Sequence, residues 1–213
     1  MLLSMSMNPN EYNNIVRIKK DIVSNSIMYS FRTQDHATLL NSMKKMGYRN
    51  LDGHGYNLYD LRRIMIAYEY DALFWDMRDR TGFSIGFFFA YFVYEATRNG
   101  IETASWYKYW NPGGIKYRGE YKWFKAMDDC KGPCRFAALP DYDTAIQVWS
   151  EVMNNRRYDD CRSLNKAIDI CKCVRDAGYH TDNSYKSRAI IMQEYWSYRK
   201  HFPILGPKQY GTD

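Results

Sequence analysis

Apolar residues recur at helical spacing through most of the chain. Ile15, Val16, Ile18, Ile22 and Val23 share roughly one side of a segment that Asn10 can cap. Asp35 can cap a second helix with Leu39, Leu40, Met43 and Met46 in its apolar row, stopped by Gly47. A turn-rich stretch follows from Asn50 to Asn57. A third helix then carries Leu58, Leu61, Ile64, Met65, Tyr68 and Ala72, and Gly82 ends it. Ser84 can cap a fourth helix, running to about Arg98, that is apolar nearly all round and reads as the buried centre of a core.

The second half is interrupted before helical periodicity returns. Trp106 to Trp110 is a short aromatic segment, and Asn111-Pro112-Gly113-Gly114 must turn. Residues Ile115 to Leu139 lack a helical period and read as a loop or short hairpin. Asp141 can cap a helix with Ala145, Ile146, Trp149, Val152 and Met153. Leu164, Ala167, Ile168, Cys171 and Val174 mark another, with Gly178 past its end. Asp182 can cap the last, which carries Tyr185, Ala189, Ile190, Met192 and Trp196. The pattern predicts a mainly α protein with a small loop or β-hairpin lobe and an N-terminal helical segment.

Composition adds two features to this picture. Aromatics make up 17% of the 213 residues, with 20 Tyr, 10 Phe and 6 Trp. Tyr joins an apolar face to a hydroxyl, which suits half-wet surfaces such as sugar clefts and interfaces as well as cores. The net charge is +6, from 30 Lys and Arg against 24 Asp and Glu, which favours anionic partners. Basic and acidic residues are interleaved, so no basic stripe points to nucleic acid. Phe83 to Tyr94 is far short of the roughly 20 apolar residues of a membrane span. Met1 to Met7 has neither a basic nor a long apolar region, so synthesis in the cytoplasm without a signal peptide is expected.

Five cysteines, at positions 130, 134, 161, 171 and 173, make an odd count. With no signal peptide expected, this argues against a disulfide framework and for buried or idle thiols, although Cys130 and Cys134 can bridge under oxidising conditions. Cys130-x3-Cys134 and Cys171-x-Cys173 do not have standard zinc spacing, and no metal or cofactor is expected.

The candidate chemistry lies at the end of the apolar helix. Phe87-Phe88-Phe89-Ala90-Tyr91-Phe92-Val93-Tyr94 carries no charge, and Glu95 follows. A carboxyl at the rim of an aromatic wall is desolvated, which favours its protonated form and suits it to protonate a glycosidic oxygen. No H-E-x-x-H, G-x-S-x-G or phosphate-binding Gly loop is present, and the four His are scattered along the chain.

From Glu95 onward, Asn111-Pro112-Gly113-Gly114-Ile115-Lys116, then Phe136-Ala137-Ala138-Leu139, and finally Gly178-Tyr179-His180-Thr181-Asp182-Asn183-Ser184-Tyr185 follow in order. This series resembles the family-73 glycoside hydrolases, bacterial and phage endo-β-N-acetylglucosaminidases that cut the glycan strands of peptidoglycan. The family's L-L-L-A-Q-A-I-L-E run aligns with F-F-F-A-Y-F-V-Y-E, and its G-Y-A-T-D-P-x-Y signature with G-Y-H-T-D-N-S-Y. The likeness spans roughly Ser84 to Tyr198. Ala137 and Leu139 replace the Arg and Tyr of the family's F-R-x-Y segment, and Ala96-Thr97 alters the turn after the acid.

The resemblance implies a lysozyme-like helical domain over residues 81–200; residues 1–80, which carry no such likeness, are expected to form an N-terminal helical accessory region, and 201–213 a tail. It implies Glu95 as general acid, with Glu102 as its rival. It implies a second acid after the Asn-Gly turn, for which Glu120, Asp128 and Asp129 are the candidates and Glu120 is favoured. Tyr179 would face the acid and hydrogen-bond the acetamido group or orient water. Asn111 would hold the turn at the cleft; Trp110, Tyr121 and Trp123 are expected, from their aromatic rings near these segments, to meet sugar rings. The expected activity is cleavage of the β-1,4 bond after N-acetylglucosamine by a phage or bacterial lysin, acting on the wall alone or as a virion component docked through residues 1–80. A lysozyme-like muramidase or lytic transglycosylase, and a non-catalytic wall-binding or virion protein, remain the alternatives.

Overall fold

The computed structural model describes residues 32–125, 134–180, 184–198 and 201. The helix capped by Asn10, the acids Asp128 and Asp129, Asp182 and most of the 201–213 tail lie outside them. Helix α1 (His36–Lys45) starts at Asp35, whose carboxylate accepts from Thr38 N, and it buries Leu39 and Met43. Helix α2 (Leu58–Glu69) starts at Asn57 with a capping box closed by Asp60. The single helix expected from Leu58 to Gly82 is instead two. The backbone leaves helical geometry at Tyr70 and resumes as α3 (Asp71–Thr81). The break lets the Tyr70 ring and hydroxyl turn inward, where the hydroxyl donates to Glu102 across 2.7 Å.

Helix α4 (Ile85–Ala96) is the centre of the molecule, with Ser84 accepting from Phe87 N at its start. Every residue from Ile85 to Val93 is buried. Each buried Phe of this helix contributes about 1.5–3 kcal/mol relative to leaving it exposed. Tyr94 departs from the expected buried wall and is 37% exposed. The chain then forms a two-stranded hairpin, β1 (Thr97–Arg98) and β2 (Ile101–Glu102), rather than continuing as helix to Arg98. Asn99 and Gly100 both have positive φ at its tip, as a tight two-residue hairpin turn demands.

Helix α5 (Ala104–Tyr107) leads into the Asn111 turn. The irregular segment closes as a second antiparallel hairpin, β3 (Lys122–Lys125) with β4 (Arg135–Ala138), pairing Phe124 with Phe136. Tyr109 stacks on Phe124, which gives this lobe its own small core. Helix α6 (Tyr142–Met153) is capped by Asp141. A 3-10 turn (Arg156–Tyr158) and helix α7 (Asp159–Arg162) precede α8 (Ala167–Asp176) and α9 (Tyr185–Tyr198). Helices α9 and α3 are the main neighbours of α4, and α8 packs on α9.

Residues on both sides of position 80 share one core. Leu39, Leu61, Phe74 and Met77 belong to the same cluster as Phe88, Trp149 and Tyr195. Arg32 adds a buried polar tie: it binds Glu69 at the end of α2 and Glu102 on β2, donating from Nε to Glu102 across 2.9 Å. Burial alone would lower the Arg32 pKa, but the two carboxylates outweigh it and raise it.

The cysteines correct the sequence expectation of idle thiols. Cys161 on α7 and Cys173 on α8 form a disulfide, with Cα atoms 5.6 Å apart. The packing of two short, consecutive helices brings together residues that no spacing rule pairs. Cys134 is also disulfide-bonded. Cys171 is a buried free thiol whose pKa burial pushes up to about 12. Cys173 is therefore not available to a Cys171-x-Cys173 metal pair. Among the described residues no helix is long and apolar enough to cross a membrane.

Candidate active site

Glu95 sits in the last turn of α4 with its side chain 24% exposed. Arg188, on α9, donates from Nη2 to Glu95 Oε1 across 2.8 Å. The Arg188 side chain is 1% exposed, also binds Ser184, and lies 3.7 Å from the centroid of the Tyr94 ring. The aromatic wall penalises a charged carboxylate here and the guanidinium stabilises it, so the two influences oppose each other.

The other oxygen of Glu95 faces the Gly-Gly turn. A Cβ on Gly114 would stand 3.3 Å from Glu95 Oε2, and Gly114 has φ +61. Both facts favour glycine, which keeps the space over Oε2 open. A Cβ on Gly113 would collide at 2.6 Å with Trp149 Nε1 and the Tyr179 hydroxyl. That crowding follows from a short chain of hydrogen bonds. Trp149 Nε1 donates to the Tyr179 hydroxyl across 3.0 Å, which donates to Gly113 O across 2.9 Å. Burial, and secondarily the Glu95 charge, raises the Tyr179 pKa, so the phenol stays protonated.

Asn111 anchors the same turn from below. Its Oδ1 accepts from Ile115 N across 2.7 Å, and its Nδ2 donates to the carbonyls of Ile115 and Ala137, each across 2.9 Å. Asn111 is fully buried, so its amide is spent on the backbone. Tyr91, one turn before Glu95, shares a hydrogen bond of 2.9 Å with His180 Nε2.

Glu95, Tyr179, Asn111 and the Gly-Gly turn thus gather at one place. The mainly helical fold that carries them is similar to a crystal structure of a peptidoglycan hydrolase from Sphingomonas sp. A1. The match covers 64% of this chain and 92% of that chain, at 17% identity and a TM-score of 0.50. A peptidoglycan hydrolase mutant from the same organism matches 65% of this chain and 97% of its own, at 18% identity and a TM-score of 0.48. These likenesses are of fold. No family model matches the sequence, and no curated protein does.

The remaining expected residues distribute around this centre. Glu120 and Tyr121 line a cleft of about 220 Å³ together with Arg118, Arg157, Glu151 and Lys116. Ile115 and Lys116 lead directly from the Gly-Gly turn into that cleft. Trp123 lies on the outer hairpin, 46% exposed, with the Arg135 guanidinium 4.4 Å from its ring. Trp110 is half-buried, edge-on to Trp106 and Tyr142. Glu102, the rival acid, is buried, paired with Arg32 and hydrogen-bonded by Tyr70.

Sequence reasoning missed Arg188, Trp149 as a donor, and the exposure of Tyr94. One signal was available for Arg188. With Met192 and Tyr195 it forms an i, i+4, i+7 stripe, so a charged residue stands on the buried face of α9.

Proposed function

We propose that this chain is a peptidoglycan hydrolase of the glucosaminidase type. Glu95 protonates the leaving oxygen of the β-1,4 bond after N-acetylglucosamine. The observation that carries the reading is the placement of Glu95 at the end of the buried helix, with Oε2 toward the open face of Gly114. Arg188 donates to Oε1, which orients the carboxyl, and Oε2 lies on the side of Gly114. Glu120, in the adjoining cleft, is the residue proposed to activate water, and Tyr121 and Trp123 are the proposed sugar contacts. The net charge of +6 supports attraction to an anionic wall. The Cys161–Cys173 disulfide supports action on the oxidising side of a membrane, as for a lysin or a virion component.

The decisive experiment incubates purified protein with sacculi and analyses the released fragments by mass spectrometry. Fragments ending in reducing N-acetylglucosamine are expected from the wild type, and none from Glu95→Gln protein that circular dichroism shows to be folded. Reducing N-acetylmuramic acid would instead identify a muramidase. Unchanged release by Glu95→Gln rejects the assignment of the acid.

The Arg188–Glu95 ion pair favours one second reading, since it stabilises the carboxylate rather than the acid. On that reading the chain binds the wall without cutting it. Sedimentation with sacculi and no released fragments would establish this.

A further inference from the structure

The exposed ring beside the candidate acid is the feature that neither the fold nor the proposed reaction accounts for. Helix α4 buries every residue from Ile85 to Val93, yet Tyr94 is 37% exposed. Large exposed apolar side chains among the described residues are few, and of these Tyr94 is the one adjoining Glu95.

The ring is also held in place. The Arg188 guanidinium covers one face at 3.7 Å from the centroid and is itself only 1% exposed. The exposed area therefore lies away from the face that Arg188 covers. The same guanidinium donates to Glu95 Oε1 across 2.8 Å, so one buried group fixes the ring relative to the carboxylate. The Tyr94 hydroxyl makes no hydrogen bond among the described residues.

We propose that Tyr94, backed by Arg188, is a saccharide-binding platform that seats a pyranose ring next to Glu95. A pyranose presents an apolar C–H face and a rim of hydroxyls. Tyr94 presents exposed aromatic surface and a phenol to match them. The cation on the far side contributes by holding the ring flat against the site. A side chain already ordered in the free protein loses little rotamer freedom on binding, so more of the contact energy appears as affinity. Arg188 is then a positioning residue for both the platform and the acid.

This proposal rests on the reading of Glu95 as the acid of a glycan hydrolase, so its test separates the two. Chitotetraose is titrated calorimetrically into Glu95→Gln protein, which binds without turnover, with and without a second change at Tyr94. Tyr94→Ala is expected to weaken binding by about tenfold, while Tyr94→Phe stays within about twofold. Circular dichroism should show every variant folded at the temperature of the titration. In the active background, Tyr94→Ala should raise KM more than it lowers kcat. Equal affinity with and without the ring overturns the platform, and so does a lack of measurable binding by the protein that keeps Tyr94. If wild type cleaves sacculi and Glu95→Gln does not, either result leaves the hydrolase reading standing. Failure of cleavage by the wild type counts against that reading, whatever the titration shows.

Discussion

Tyr179 donates its hydroxyl hydrogen to the carbonyl oxygen of Gly113 across 2.9 Å, which ties the start of the α8–α9 connection to the turn that faces Glu95. The phenol also accepts from Trp149 Nε1, so its hydrogen-bonding capacity is largely used within the protein. Tyr179→Phe removes both bonds and leaves a buried carbonyl and an indole N–H without their partner. The expected loss is about 1–3 kcal/mol. Chemical denaturation should show it, and muralytic rate should fall because the turn loosens over the acid. An unchanged unfolding midpoint would show that the chain of bonds is not formed in solution.

Gly114 separates backbone from chemistry. Gly114→Ala forces an L side chain to φ +61 and places a methyl 3.3 Å from Glu95 Oε2. The strain alone is about 1–2 kcal/mol. Activity is expected to fall further than stability, since the methyl would stand against the carboxylate proposed as the acid. Comparing the fall in kcat/KM with the change in unfolding free energy checks this. Losses of equal size would mean that the glycine serves only the turn.

The Arg32 cluster should be a strong determinant of stability. Arg32→Met leaves the Glu69 and Glu102 carboxylates buried without their counter-charge. Breaking a buried pair by removing one partner costs about 3–5 kcal/mol. Because Glu102 sits on the hairpin that follows Glu95, thermal unfolding and activity should decline together. A melting point within about 2 °C of wild type would contradict this account.

The Cys161–Cys173 disulfide closes a short loop, with a sequence separation of 12. Chain-entropy arguments give about 3 kcal/mol for a loop of this size. Cys161→Ser with Cys173→Ser should lower the unfolding free energy by up to that amount. Cys171 should resist alkylation in the native protein, because it is buried and its thiol pKa lies near 12. Rapid labelling of Cys171 without unfolding would argue against its burial.

Alkaline pH should unfold the protein through its tyrosines. Burial raises the pKa values of Tyr48, Tyr70, Tyr91, Tyr179 and Tyr198 above the ordinary value of 10.0. In the unfolded chain these phenols ionise as pH passes 10, while in the folded chain they remain protonated. The unfolded state therefore binds fewer protons, and stability falls as pH rises. Each such phenol contributes about 1.4 kcal/mol per pH unit until its folded pKa is reached. Denaturation between pH 9 and 12, followed with tyrosinate absorbance, should show ionisation and unfolding as one event. Titration of all tyrosines in a folded protein would contradict it.

Much of the framework was legible along the chain. The uncharged run from Phe87 to Tyr94, opened by the capping Ser84, marked the buried helix at the centre, although Tyr94 at its end is exposed. Ser84, Asp35 and Asp141 cap helices where their side chains are expected to, since capping is decided within a few residues. Asn111-Pro112-Gly113-Gly114 had to turn for equally local reasons. Tertiary structure alone decided who meets whom. Arg188 reaches Glu95 across 93 positions of sequence, and Arg32 reaches Glu102 across 70. Periodicity reports which face of a helix is buried and is silent about the partner waiting there. For the same reason Glu95 and Glu102, two similar acids in the sequence, part ways in space. One ends a helix under an open glycine, and the other is locked beneath a hairpin by an arginine.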